Sequence, residues 1–119
     1  YSSGGYTNLG KMYGTYNGGL PGWCTWYVNY RRPDLPNGMG NARDYLNSAR
    51  SRGIPTGSTP RVGAVMVTRE SYYGHIAYVS AVGANSFTVM EMNYVGRYIV
   101  SSRSVPNNFW ALRGFVYKK

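Results

Sequence analysis

Four residues of this 119-residue chain have types and positions suited to chemistry: Cys24, His75, Glu91 and Asn93. The chain holds one Cys, one His and 4 acids, so few other combinations are available. Cys24 follows the Pro21-Gly22 break and opens a helix-like run. At a helix start the unpaired N–H groups and the dipole favour a thiolate over a thiol. Such a thiolate is a nucleophile, and the adjacent N–H groups are available to an oxyanion. The plain alternative is a small buried hydrophobe, since Cys is among the most buried residue types. His75 opens a strand after Tyr72-Tyr73-Gly74, where an imidazole facing a cleft is a general base. Its plain alternative is a hydrogen-bonded structural histidine.

Glu91 breaks the apolar run Phe87-Thr88-Val89-Met90-Glu91-Met92-Asn93, and a buried carboxylate requires a partner. A three-residue connection at Gly83-Ala84-Asn85 pairs Val82 with Ser86. Counting outward sets Ala77 opposite Glu91 and His75 opposite Asn93. Side chains alternate with period two, so His75, Glu91 and Asn93 then share one face at the open end of the hairpin. A base flanked by groups that orient its second nitrogen is half of a catalytic triad. A one-residue slip would separate them, and a salt bridge from Glu91 to one of the arginines is the competing reading.

The elements that must hold these residues follow from breaks and periodicity. Residues 1–22 are rich in Gly, Tyr, Ser and Asn and read as a flexible arm, with the folded domain spanning 23–119. A helix is expected from Cys24 to Arg32, stopping before Pro33, with its basic end suiting the dipole. Residues 33–40 form a loop. Asn41 caps a second helix, Ala42–Arg52, ended by Gly53. Short β-rich runs then follow at Val62–Thr68, His75–Val82, Ser86–Asn93, Arg97–Arg103 and Gly114–Tyr117. Helices followed by consecutive strands predict an α+β fold, with short helices on an antiparallel sheet of about five to six strands.

Composition narrows the function classes. One Cys excludes a disulfide within the chain and, with one His, argues against a structural metal cage; no metal or cofactor is expected. Residues 1–22 contain no acid for a calcium loop. No apolar run reaches the length of a membrane span. Walker, G-x-S-x-G, H-E-x-x-H and G-x-G-x-x-G patterns are missing. The formal net charge of +9, carried mostly by arginine, points to a polyanionic partner. Arg113-Gly114-Phe115-Val116-Tyr117 matches part of an RNA-binding strand pattern but lacks its middle pair, so it reads as a final strand and no nucleic-acid partner is expected.

Four ordered stretches resemble the CHAP domain, the cysteine/histidine-dependent amidohydrolase/peptidase family of the papain-like superfamily. They are Cys24-Thr25-Trp26-Tyr27-Val28, Thr59-Pro60-Arg61-Val62-Gly63-Ala64-Val65, Tyr73-Gly74-His75-Ile76-Ala77-Tyr78-Val79 and Glu91-Met92-Asn93-Tyr94. The resemblance implies a papain-like fold, with Cys24 as nucleophile, His75 as base, Glu91 as orienter and Asn93 as a fourth member. It implies a secreted bacterial or phage monomer, acting outside the cell on peptidoglycan as an N-acetylmuramoyl-L-alanine amidase or a stem or cross-bridge endopeptidase. Anionic wall polymers would suit the charge. The family commonly carries Gln before the nucleophile, where this chain has Trp23. Trp23, Tyr72, Tyr73 and Tyr94 are expected to line the substrate groove. The alternative is a catalytically weak wall-binding module using the same groove.

Overall fold

The computed structural model describes residues 6–118. In chain order the elements are β1 (Tyr6–Lys11), α1 (Cys24–Arg31), a 3-10 turn (Ala42–Asp44) running into α2 (Tyr45–Ser51), β2 (Thr56–Gly57), β3 (Val65–Thr68), β4 (His75–Val82), β5 (Ser86–Met92), β6 (Ile99–Pro106) and β7 (Leu112–Val116). The strands form one sheet in the order β1-β6-β5-β4-β3-β7-β2, with every pairing antiparallel. The fold is α+β, as expected, with seven strands.

Apolar residues fill both faces of the sheet centre. On one face Val65, Val67, Ile76 and Val116 pack under Val28 of α1 and Tyr45, Leu46 and Ala49 of α2. On the other, Met66, Ala77, Val79, Phe87, Val89, Val105 and Phe115 form a second cluster. Alternation along β3 and β4 sends successive side chains into different clusters, so both strands read as nearly continuous apolar runs. Phe115 and Val116 are buried, so the RNA-like run in β7 offers no stacking platform. Arg32, beyond the last turn of α1, is also fully buried. It donates to the carbonyls of Gly63, Val116 and Tyr117 at 2.9, 3.2 and 3.0 Å and pairs with Asp34 at 2.8 Å, tying the helix end to the sheet.

Three local expectations differ from the fold. The segment read as a flexible arm contains β1, which pairs with β6 from Tyr6↔Arg103 to Lys11↔Ile99. Its composition is loop-like because all six β1 residues are exposed, and edge pairing supplies the order that apolar burial does not. Residues 1–5 of the arm lie outside the described residues. The second helix begins as a 3-10 turn, where the Asn41 N–H donates to Asp44 Oδ2 at 3.0 Å. The β4–β5 turn is tighter than a three-residue connection: Val82 pairs with Phe87, and the Gly83 N–H donates to the Ser86 carbonyl at 2.8 Å. A bulge between Val79 and Ala81 absorbs the extra residue, with Ser80 Oγ donating to the Thr88 carbonyl. Beyond it, Val79↔Val89 and Tyr78↔Met90 stand in the expected register. The two departures cancel before the chemical end of the hairpin.

Candidate active site

Cys24 is the first residue of α1, preceded by Trp23 in an extended conformation at φ −103 and ψ 163. Apart from Trp23, no residue before α1 was expected to shape the site, yet the preceding segment is fitted across the helix start. Asn17 Nδ2 donates to the Trp26 carbonyl at 3.0 Å, and Trp26 Nε1 donates to the Thr15 carbonyl at 2.7 Å. Gly19 lies so close that a Cβ there would stand 2.5 Å from the Trp26 nitrogen. Only glycine permits that approach.

His75 begins β4 and lines the same cleft as Cys24, with its ring near enough to the thiol to lower the thiol's pKa. On its other side His75 Nε2 lies 2.8 Å from Glu91 Oε1. With Nε2 taken by the carboxylate, Nδ1 is the nitrogen left for sulfur. Burial pushes the Cys24 thiol up. The hydrogen bond and charge of His75, with the N–H groups of Ile76 and Thr25, outweigh it and bring the thiol below its ordinary range. Burial pushes His75 down, but hydrogen bonds to Cys24 and Glu91 and their charges raise it to about 10. The two adjacent groups shift in opposite directions, each favouring the charged form of the other.

Glu91 is fully buried and has a second partner. Arg103 Nε stands 2.7 Å from Glu91 Oε2, in an ion pair whose angles lie outside those of a hydrogen bond. The fork of Arg103 grips Glu70, with Nη1 to Oε2 at 3.0 Å and Nη2 to Oε1 at 2.7 Å. Thr68 Oγ1 donates to Glu70 Oε1 at 2.9 Å. Burial pushes the Glu70 carboxyl up, and the Arg103 fork more than offsets it, holding Glu70 below its ordinary range. A chain of polar contacts thus runs from His75 beside Cys24 through Glu91 and Arg103 to Glu70. Glu91 contacts His75 through one carboxylate oxygen and Arg103 through the other. Arg103 and Glu70 were missed from sequence. The available signal was four acids among many cations, which makes each buried acid a search for its arginine.

A cleft of about 520 Å³ opens over Cys24 and His75. Trp23, Tyr73 and Asn93 line it, as do Tyr16 and Leu20 of the preceding segment. Tyr72 and Tyr94 do not belong to this lining. Tyr72 lies under the Arg43 guanidinium, 4.4 Å from its ring centre. Tyr94 sits 5.9 Å from the His75 ring and 4.0 Å from the Arg103 guanidinium, packing against the charge chain. Asn93, just past β5, adopts a left-handed φ of 64. It shares the cleft with His75, while the imidazole Nε2 is held by Glu91. Among the described residues no cluster of three or more His, Cys, Asp or Glu is arranged to hold a metal ion, and no helix is long and apolar enough to cross a membrane.

Residues 14–93, from the segment before α1 to the end of the hairpin, match the family whose description is "CHAP domain". The chain belongs to the CHAP domain family. The matched span holds Cys24, His75, Glu91 and Asn93 and begins before residue 23, whereas Arg103 lies beyond it. The staphylococcal secretory antigen SsaA of Staphylococcus aureus is 38% identical over 118 residues, covering 97% of this chain and 44% of its own length. The secretory antigen ssaA2 of the same species is 36% identical, covering 97% and 42%. This CHAP chain therefore spans less than half of these curated relatives. A solved N-acetylmuramoyl-L-alanine amidase from Staphylococcus aureus superimposes with a TM-score of 0.73 at 27% identity, over 82% of this chain and 30% of that one. The crystal structure of Ly7917 shares the fold, with a TM-score of 0.61 at 17% identity over 82% and 53%.

Proposed function

We propose that this CHAP domain is a cysteine hydrolase that cleaves an amide bond of peptidoglycan outside the cell. The adjacency of Cys24 and His75 in one open cleft, with His75 Nε2 2.8 Å from Glu91 Oε1, carries the reading. Membership of the CHAP family supports it, as do the similarity to a named amidase and the secretory names of the relatives. The Cys24 thiolate attacks the amide carbon, and the carbonyl electron pair moves to oxygen. The Cys24 N–H, at the first position of α1, has no intrahelical acceptor and is free to meet that oxyanion. As the intermediate collapses, the C–N bond breaks and the imidazolium gives its Nδ1 proton to the leaving amine. A thioester remains. His75, now neutral, takes a proton from water, hydroxide displaces sulfur, and the carboxylic acid departs with the thiolate restored. Glu91 holds the imidazole in orientation and stabilises its charged form, and Arg103 holds Glu91.

The test is digestion of purified peptidoglycan, with mass spectrometry of the products. Wild type releases fragments bearing new amine termini, and folded Cys24→Ala releases none. Free amines on L-alanine assign an amidase; termini within peptides assign an endopeptidase. Equal release by Cys24→Ala overturns the proposal.

A further inference from the structure

Beside the catalytic cleft lies a smaller hollow of about 190 Å³, lined by four arginines: Arg43, Arg50, Arg69 and Arg113. They come from the continuous 3-10 turn and α2, from the β3–β4 connection and from β7, three separate stretches of the sequence. No carboxylate belongs to the lining, which Asn47 and Ser71 complete with neutral polar groups. The two acids on these elements are engaged elsewhere: Asp44 accepts from the Asn41 N–H, and Glu70 from Thr68 and the Arg103 fork. Other arginines are committed elsewhere: Arg32 to Asp34 and three carbonyls, Arg103 to Glu70 and Glu91, and Arg97 to the Pro21 carbonyl. Four exposed guanidiniums around one hollow, with Arg43 Nη1 also donating to the Tyr72 carbonyl and Arg50 Nη1 to Asn47 Oδ1, make a local positive field that attracts an anion.

The hollow is also built against the catalytic elements. The Arg43 N–H donates to the Tyr73 carbonyl at 2.8 Å, and the Arg43 guanidinium lies over the Tyr72 ring. Gly74, at φ 77, fits so tightly that a Cβ there would stand 2.7 Å from the Arg43 nitrogen. Ser71 and Gly74 line both this hollow and the cleft, so one short loop is their shared wall. The volume lies below the roughly 300–1,000 Å³ usual for drug-sized ligands. It suits a compact oxyanion, and the planar guanidinium fork matches phosphate.

We propose that this hollow binds one phosphodiester group of an anionic wall polymer, holding the polymer alongside the cleft. Phosphate binding stands on the hollow alone. The alignment with wall cleavage rests on the hydrolase reading above.

The experiment follows arginine Nε–Hε signals by NMR as inorganic phosphate, then poly(glycerol phosphate), is added to the wild-type chain. The signals of Arg43, Arg50, Arg69 and Arg113 move on one binding curve, while those of Arg52 and Arg61 do not. Arg50→Gln with Arg113→Gln weakens binding about tenfold or more, as loss of charge-assisted forks requires. Lys11→Gln with Arg52→Gln removes the same charge elsewhere and weakens it by less than about twofold, because exposed charges at a distance are screened. Equal weakening by the two pairs of substitutions, or equal binding of polyacrylate, means a diffuse basic surface and overturns the site. Tighter binding to phosphatidylglycerol vesicles than to the polymer overturns the choice of partner. No wall is cleaved in this measurement, so its failure and a failed peptidoglycan digestion are separately visible.

Discussion

Arg103 and Glu91, neighbours on paired strands, meet at 2.7 Å with both side chains almost wholly buried. The contact places a permanent positive charge behind the carboxylate that faces His75.

Removing that arginine leaves Glu91 and Glu70 without their shared cation. Breaking a buried pair from one side costs about 3–5 kcal/mol. Arg103→Met is therefore expected to lower the urea midpoint strongly and to reduce turnover in the population that remains folded. Arg103→Lys keeps the charge but not the fork, so it should recover part of both. Unchanged stability and turnover in Arg103→Met would remove Arg103 from the account.

Glu91→Gln keeps the shape but removes the charge that supports the imidazolium. Its turnover should fall by about tenfold or more, yet remain above that of His75→Ala, because an orienter contributes less than the base itself. Asn93→Gly preserves the left-handed backbone and deletes only the side chain, so it should retain most activity. If Asn93→Gly is inactive and Glu91→Gln is not, Asn93 is the orienter.

The opposed shifts of Cys24 and His75 set a pH window. Below the lowered Cys24 value the thiol is protonated and attack stops. Above about 10 the imidazole has lost the proton needed by the leaving amine. Turnover should form a broad plateau across neutral pH, with limbs that belong to the coupled pair. Iodoacetamide should alkylate Cys24 readily at pH 6–7. His75→Ala should move alkylation toward the free-thiol value of about 8.5. Glu91→Gln, lacking the carboxylate that raises His75, should draw the upper limb of turnover downward. A free-thiol profile indifferent to His75→Ala would make Cys24 a packing residue.

Trp23 is 42% exposed, lines the cleft and has the Arg97 guanidinium 5.2 Å from its ring centre. Its indole is expected to contact substrate. Trp23→Ala should raise KM more than it lowers kcat, the mark of lost ground-state binding. A loss confined to kcat would assign Trp23 to transition-state contacts.

Truncation to residues 21–119 removes β1, the Thr15 and Asn17 contacts to Trp26, and the Tyr16 and Leu20 wall of the cleft. The shortened chain should unfold at lower urea and lose peptidoglycan release. Full retention of both would return the segment to the status of a passive arm.

The chemical residues were legible because their types are scarce and their spacing is local. A helix break before Cys24, a strand beginning at His75 and the period-two count to Glu91 are short-range rules, acting within one hairpin and one turn. They survived even an error in the turn, since the bulge near Ser80 restored the register. What lay beyond reach depends on which distant segments meet. Nothing local distinguishes Arg103 from the other arginines; its place follows from β6 pairing with β5 and from the β3–β4 connection bringing Glu70 to the same point. Tyr6–Lys11 carries no apolar periodicity, so its order comes from edge hydrogen bonds to β6, more than eighty residues away. Tyr72 and Tyr73 are adjacent in sequence, yet only Tyr73 lines the cleft, because the loop tucked against Arg43 sets the direction of each ring. Local pattern specified the candidate groups; long-range pairing decided their counter-charges and the walls around them.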